Sequence, residues 1–245
     1  MARLAPHRLR CALPACLAVA ALAPAAGGAV PASPKAVYSA MIAAAGHQRS
    51  FRSTSLQTGC GCGVDERISQ VTDVAANEGI QRITFTADGS TGHVTVLVIG
   101  GTAYVEGDSF ALVNYLGYKP DAATAYAGQW IAIPAADPDF DAVADDVTLL
   151  TAVEDLAVPN PLHLAPRRVI GGKATLGVTG TKRATGNAAA ITESLYGRAK
   201  GLPLPVEEDI VQGAYSAMVT LGHWNEHLDL AAPAASTPIS ATGLE

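Results

Sequence analysis

Between Gly92 and Pro134 the hydrophobic positions change period several times. Val94, Val96 and Val98 alternate with Thr95, Leu97 and Ile99, so a strand over 94–99 carries apolar residues on both faces. Such a strand is expected to be covered on both sides, by helices or by a ligand. Gly100-Gly101 turns it into a strand over 102–106, since paired glycines suit the positive φ of a tight hairpin. Helical spacing then takes over at 110–116 and 120–127, with Pro120 in a first turn and Gly128 as a stop. A short strand over 130–134 closes the stretch.

The same two periods organise the flanks. Residues 34–45 read as a helix that starts at Pro34, places Val37, Met41 and Ile42 on one face and stops at Gly46. Strands are predicted over 50–57, 67–74 and 80–87, with Asp88-Gly89 as a hairpin signal. One or two helices fall within 138–147 and 149–156. Beyond them, strands over 162–170, 173–182, 190–198, 206–211 and 215–222 are separated by Gly171-Gly172 and Lys200-Gly201-Leu202-Pro203. Hairpins at this spacing indicate an antiparallel meander, not βαβ units. The predicted class is α+β, mainly β, as one domain over 34–230. The Ala, Pro, Ser and Thr of 231–245 predict a disordered tail.

Composition adds an address. Arg3, Arg8 and Arg10 precede the apolar run 13–26, and small residues follow, the pattern of a secretory signal peptide over 1–29. The formal charge of −6 falls to about −9 once those arginines are removed. With no cluster of Lys and Arg, nucleic acid is excluded as a partner. Cys16 lies in a faint lipobox, but the apolar run continues beyond it, so ordinary cleavage and a secreted or cell-envelope protein are favoured over a lipid anchor there.

Four patterns invite a chemical reading. Gly107-Asp108-Ser109-Phe110 resembles the nucleophile block of GDS-type esterases, but no Gly-x-Asn-Asp or C-terminal Asp-x-x-His accompanies Ser109, and Asp108 is more simply a helix cap. His223-Trp224-Asn225-Glu226-His227 has the inverted zincin spacing, which requires a helix and a third ligand; a polar strand end with a buried Trp224 is the simpler reading. Asp137, Asp139 and Asp141 mimic a calcium loop, but Ala142 and Thr148 stand where Gly and Glu belong. Cys60 and Cys62 can form a strained disulfide, remain as free or intermolecular thiols, or hold zinc, in that order. None of these makes a catalytic set, and no cofactor or metal is implied.

The order of elements also carries a resemblance. Gly101, Ala103, Tyr104, Val105, Gly107 and Asp108, then Gly128, Trp130 and Pro134, and later Gly201, Leu202, Pro203 and Val206 fall in a sequence of motifs covering 38–239. That pattern resembles the actinobacterial lipoproteins related to LppX and LprG, which share the half-open barrel of the LolA and LolB lipoprotein carriers. The resemblance implies a curved antiparallel half-barrel with helices on its concave face and an apolar cavity between them. It further implies a carrier of a lipid or other amphipathic small molecule, in contact with the cell envelope. Val96, Val98, Val105, Leu112, Leu116, Trp130, Leu149 and Leu150 are the candidate pocket walls. A cell-envelope scaffold without a cavity is the alternative. The sequence leaves the oligomeric state open.

Overall fold

Hairpin turns set the topology. The computed structural model describes residues 33–59, 66–145, 147–184 and 189–242. The stretch predicted as a signal peptide, with Cys16, and the pair Cys60 and Cys62 lie outside the described residues. Helix α1 (Pro34–Gly46) starts at Pro34, with the Ser33 side chain accepting from the Ala36 amide. A first meander follows: β1 (Ser50–Thr58), β2 (Arg67–Ala75), β3 (Gly79–Ala87), β4 (Ser90–Ile99), β5 (Thr102–Gly107) and β6 (Ile131–Pro134). Helices α2 (Ser109–Asn114) and α3 (Pro120–Tyr126) lie in the β5–β6 connection, and α4 (Phe140–Ala144) and α5 (Leu149–Glu154) follow β6. The second meander comprises β7 (Leu162–Ala165), β8 (Val169–Ile170), β9 (Lys173–Lys182), β10 (Ile191–Arg198), β11 (Pro205–Gln212) and β12 (Tyr215–Gly222).

All of these strands pair antiparallel, and β1 lies against β12, so the two meanders join into one open, curved sheet. At three hairpins both turn residues, or the one Gly with its preceding Asp, take positive φ: Asp88-Gly89, Gly100-Gly101 and Gly171-Gly172. The strand predicted over 162–170 divides into β7 and β8 at Pro166, which has no N–H for the ladder.

Within the stretch predicted as a disordered tail, residues 237–241 form ordered elements. β13 (Thr237–Pro238) pairs parallel with β6, and the Thr237 amide donates to the Trp130 carbonyl at 2.8 Å. A 3-10 turn, Ile239–Ala241, follows and buries Ile239 at 3% exposure. One well-placed isoleucine and a few backbone hydrogen bonds outweigh a composition poor in core formers.

The register puts Ile68, Ile83, Phe85, Val94, Val96, Val98, Ala103, Val105, Ile131 and Ile133 on one face. With α2, α3 and α4 above them they form a first apolar core. A second core gathers Val37 and Met41 of α1 with Phe51, Val74, Val178, Leu195 and Leu221, and α5 packs at its edge. Helices therefore cover the concave face of the half-barrel. On the opposite face of β4, Leu97 is also buried, flanked by its registered neighbours Ile80 and Tyr104. The two-sided strand is thus explained by a helix layer on one side and cross-strand packing on the other.

Close approach explains several glycines. A Cβ on Gly180 would stand 1.7 Å from the Pro159 carbonyl oxygen, and one on Gly197 would meet Met41 Sδ at 2.6 Å. The latter spacing lets α1 sit directly on the sheet.

Candidate ligand-binding site

The eight sequence-predicted wall residues do not converge on one space. Val96, Val98 and Val105 are closed inside the first core, and Leu112 of α2 is fully buried over Gly107. Each contributes about 1.5–3 kcal/mol of burial. Leu116, just past α2, is half-buried against the same core, and Trp130 is half-buried ahead of β6. Leu149 packs on the second core, while its neighbour Leu150 is 66% exposed.

Between the two cores the concave face is polar. Ser55 and Gln57 of β1, Gln70 and Thr72 of β2 and Gln81 of β3 share the face of Val94 by register. Gln57 Nε2 donates to Gln70 Oε1 at 3.2 Å, Gln70 Nε2 to the Tyr115 hydroxyl at 3.4 Å, and the Tyr215 hydroxyl to Gln57 Oε1 at 3.4 Å. Gln81 Nε2 reaches Thr72 Oγ1 at 3.2 Å. Glu208 of β11 is buried on this face, and Tyr38 of α1 faces the same carboxylate. Burial pushes the Tyr38 phenol up; the charges of Glu208 and Glu193 act in the same direction, against a hydrogen bond with the Val158 backbone. The inward Ser, Gln and Thr positions alternate visibly in the sequence, but their facing inward depends on pairing that no local pattern reveals.

A cleft of about 680 Å³ opens where the sheet meets α5. Leu149 and Ala75 give it apolar wall; Arg49, Asn77, Glu78 and His227 give it a polar one. Its frame is Asn225, held at φ 66° in the turn after β12. The Asn225 amide donates to the Ser50 carbonyl at 2.9 Å, its Oδ1 accepts from the Arg49 amide at 2.8 Å, and its Nδ2 donates to Gln48 Oε1 at 2.6 Å. The Ser50 hydroxyl donates to the Glu226 carbonyl. Asparagine tolerates the left-handed conformation because its side chain can bond locally, as it does here. Trp224 packs against Phe51 at 4.8 Å between ring centroids, under this turn.

Three of the four chemical patterns lie within the described residues. Asp108 caps α2, its Oδ1 accepting from Ala111 N at 2.9 Å and its Oδ2 from His93 N at 2.6 Å. Ser109 is exposed at the helix start, with no hydrogen bond to a His among the described residues. His223 Nδ1 pairs with Glu226 Oε1 at 2.8 Å in a turn, not a helix, so His223 and His227 share no helical face. Asp137 Oδ1 accepts from Asp139 N at 3.0 Å, a local turn ahead of α4. Among the described residues no group of three metal-ligating side chains converges. No helix among them is long and apolar enough to cross a membrane.

Comparison with solved structures places this architecture. Lipoprotein LppX of Mycobacterium tuberculosis superposes with a TM-score of 0.51 at 20% identity, over 82% of this chain and 99% of LppX. LprF of Mycobacterium bovis superposes with a TM-score of 0.52 at 15% identity, over 82% of this chain and 97% of LprF. The chain has the LppX fold. At such identities the likeness is one of architecture, and it extends across nearly the whole of both mycobacterial chains. No protein-family model and no curated protein matches the sequence. The LppX-type half-barrel accounts for the helices over the concave face and for the long open sheet.

Proposed function

We propose that this protein is an exported carrier or binding protein for a lipid or other amphipathic ligand, acting in the cell envelope or outside the cell. The observation that carries the reading is the cleft between α5 and the sheet end. Its volume is in the range of small-molecule sites, and it sets an apolar wall at Leu149, continuous with the second core, beside a charged rim. The LppX fold and the signal-like pattern over 1–29 support the same reading. The absence of clustered cations and the net negative charge leave amphipaths, not polyanions, as the natural guests.

A scaffold role without a ligand draws on a different observation. Val96, Val98, Val105 and Leu112 already fill the space over β4 and β5 with the protein's own side chains. Native mass spectrometry of the exported protein, followed by organic extraction and lipid analysis, separates the two. A co-purifying acyl lipid near one per chain is the expected result. A clean apo mass, unchanged after incubation with envelope lipids, would overturn the carrier reading and leave the scaffold.

A further inference from the structure

Two charges at the cleft rim are unusually placed. Arg49 stands one residue before β1, whose first residue, Ser50, is registered with Ala75 at the end of β2. Glu78 sits in the turn that follows, closed by the Ala75 amide donating to the Glu78 carbonyl at 2.7 Å. Both residues therefore flank the same corner of the sheet and line the same cleft. Among the described residues neither makes an ion pair within 4.0 Å. Glu226, by contrast, is occupied by His223. The backbone of Arg49 is fixed by Asn225, so the guanidinium projects from an anchored point.

A guanidinium and a carboxylate that share a cleft without meeting can be bridged by a ligand carrying both charges. We propose that the cleft recognises a zwitterionic group, an anion held by Arg49 and a primary ammonium held by Glu78. Guanidinium forks suit phosphate and carboxylate oxygens. The choice of primary over quaternary ammonium follows from the lining. Quaternary ammonium is recognised by aromatic faces. The cleft lining holds no Phe, Tyr or Trp, but includes the carboxylate-bearing Glu78 and the amide-bearing Asn77. These are partners for N–H donors. Resting on the carrier reading, this makes the amphipath a lipid with a phosphoethanolamine-type headgroup, its headgroup at the rim and its chains toward Leu149.

The test uses the purified full chain and short-chain lipids below their micellar concentrations. Phosphatidylethanolamine, phosphatidylcholine, phosphatidylglycerol and diacylglycerol are compared by calorimetry, with free O-phosphoethanolamine as a fifth arm. Phosphatidylethanolamine is expected to bind at least about tenfold tighter than the others; Glu78→Gln is expected to erase its preference over phosphatidylcholine, and Arg49→Gln its preference over diacylglycerol beyond what the ammonium contributes. Arg49 is exposed and Glu78 half-buried at the rim, and neither belongs to the apolar cores; unchanged melting of the variants verifies that the changes spare the fold. Equal binding of all lipids overturns the headgroup inference and leaves the carrier reading standing. Binding of no lipid and no phosphoethanolamine overturns both. Tight binding of free phosphoethanolamine without any lipid upholds zwitterion recognition and removes the lipid reading. An effect of only one of the two variants on phosphatidylethanolamine binding overturns the two-ended bridge.

Discussion

Ile239→Ala tests whether the C-terminal segment is part of the core. Ile239 is 3% exposed and inserts beside Ile131 and Ile133 in the first apolar core. Truncation leaves the anchoring bond from Thr237 N to Trp130 O intact, so the loss is chiefly side-chain transfer plus a residual cavity. For a buried Ile→Ala change that amounts to about 3 kcal/mol. In a domain of this size each kcal/mol lowers the melting temperature by about 2–4 °C, so a drop of about 6–12 °C is expected. Thermal melting followed by circular dichroism, paired with a urea midpoint, reads it directly. Ser240→Ala, one residue on and exposed, is the control and should stay within about 0.5 kcal/mol of the parent. If Ile239→Ala melts within about 1 °C of Ser240→Ala, residues 237–241 are not docked on β6 and the reasoning fails.

Two further outcomes follow from the fold. Gly180→Ala places a methyl 1.7 Å from the Pro159 carbonyl oxygen, where only backbone movement relieves the clash, so a loss of about 3 kcal/mol or more is expected. Gly46→Ala, whose methyl would meet nothing within 4 Å, should be near neutral, and equal melting of the two variants would refute the packing of β9. Burial, and after it the Asp139 charge, push the Tyr118 phenol from 10.0 up to about 12. The folded state thus holds this proton more tightly than the unfolded chain, a contribution fully present below pH 10 and lost as pH rises through 12. Tyr118→Phe should flatten the fall in stability across that window; parallel alkaline unfolding of parent and variant would contradict the assignment.

The elements themselves were largely legible in the sequence because their signals are local. Period-2 runs ended by Asp88-Gly89, Gly100-Gly101 and Gly171-Gly172 mark hairpins by turn chemistry alone, and Pro34 and Pro120 mark helix starts. The site was less legible. Val96, Val98 and Val105 read as pocket walls because they are apolar, yet a residue facing a cavity and one facing a helix have the same pattern. Leu149 and Leu150 are adjacent and alike in sequence, and only helix phase puts one at the cleft and the other in solvent. The cleft itself assembles Arg49, Glu78 and Asn225 from three separate stretches through the β1–β12 pairing, which no local signal encodes. The order of residues 237–241 was not legible because composition averages over residues, whereas their docking rests on Ile239 and on hydrogen bonds such as Thr237 N to the Trp130 carbonyl.

The seam between β1 and β12 bears on how the molecule is made. Each meander is built from near neighbours and can form early, as local contacts do. The seam instead joins Thr58 to Ser216, 158 positions apart, and runs from Arg52–Gly222 to that pair. Until it closes, each half presents a long strand with an unpaired row of amides and carbonyls, one on β1 and one on β12. Two molecules caught at that stage hold complementary edges. Closure then competes with exchange, half for half, between copies. The same pairing that makes one continuous sheet is therefore the step at which refolding is expected to depend on protein concentration.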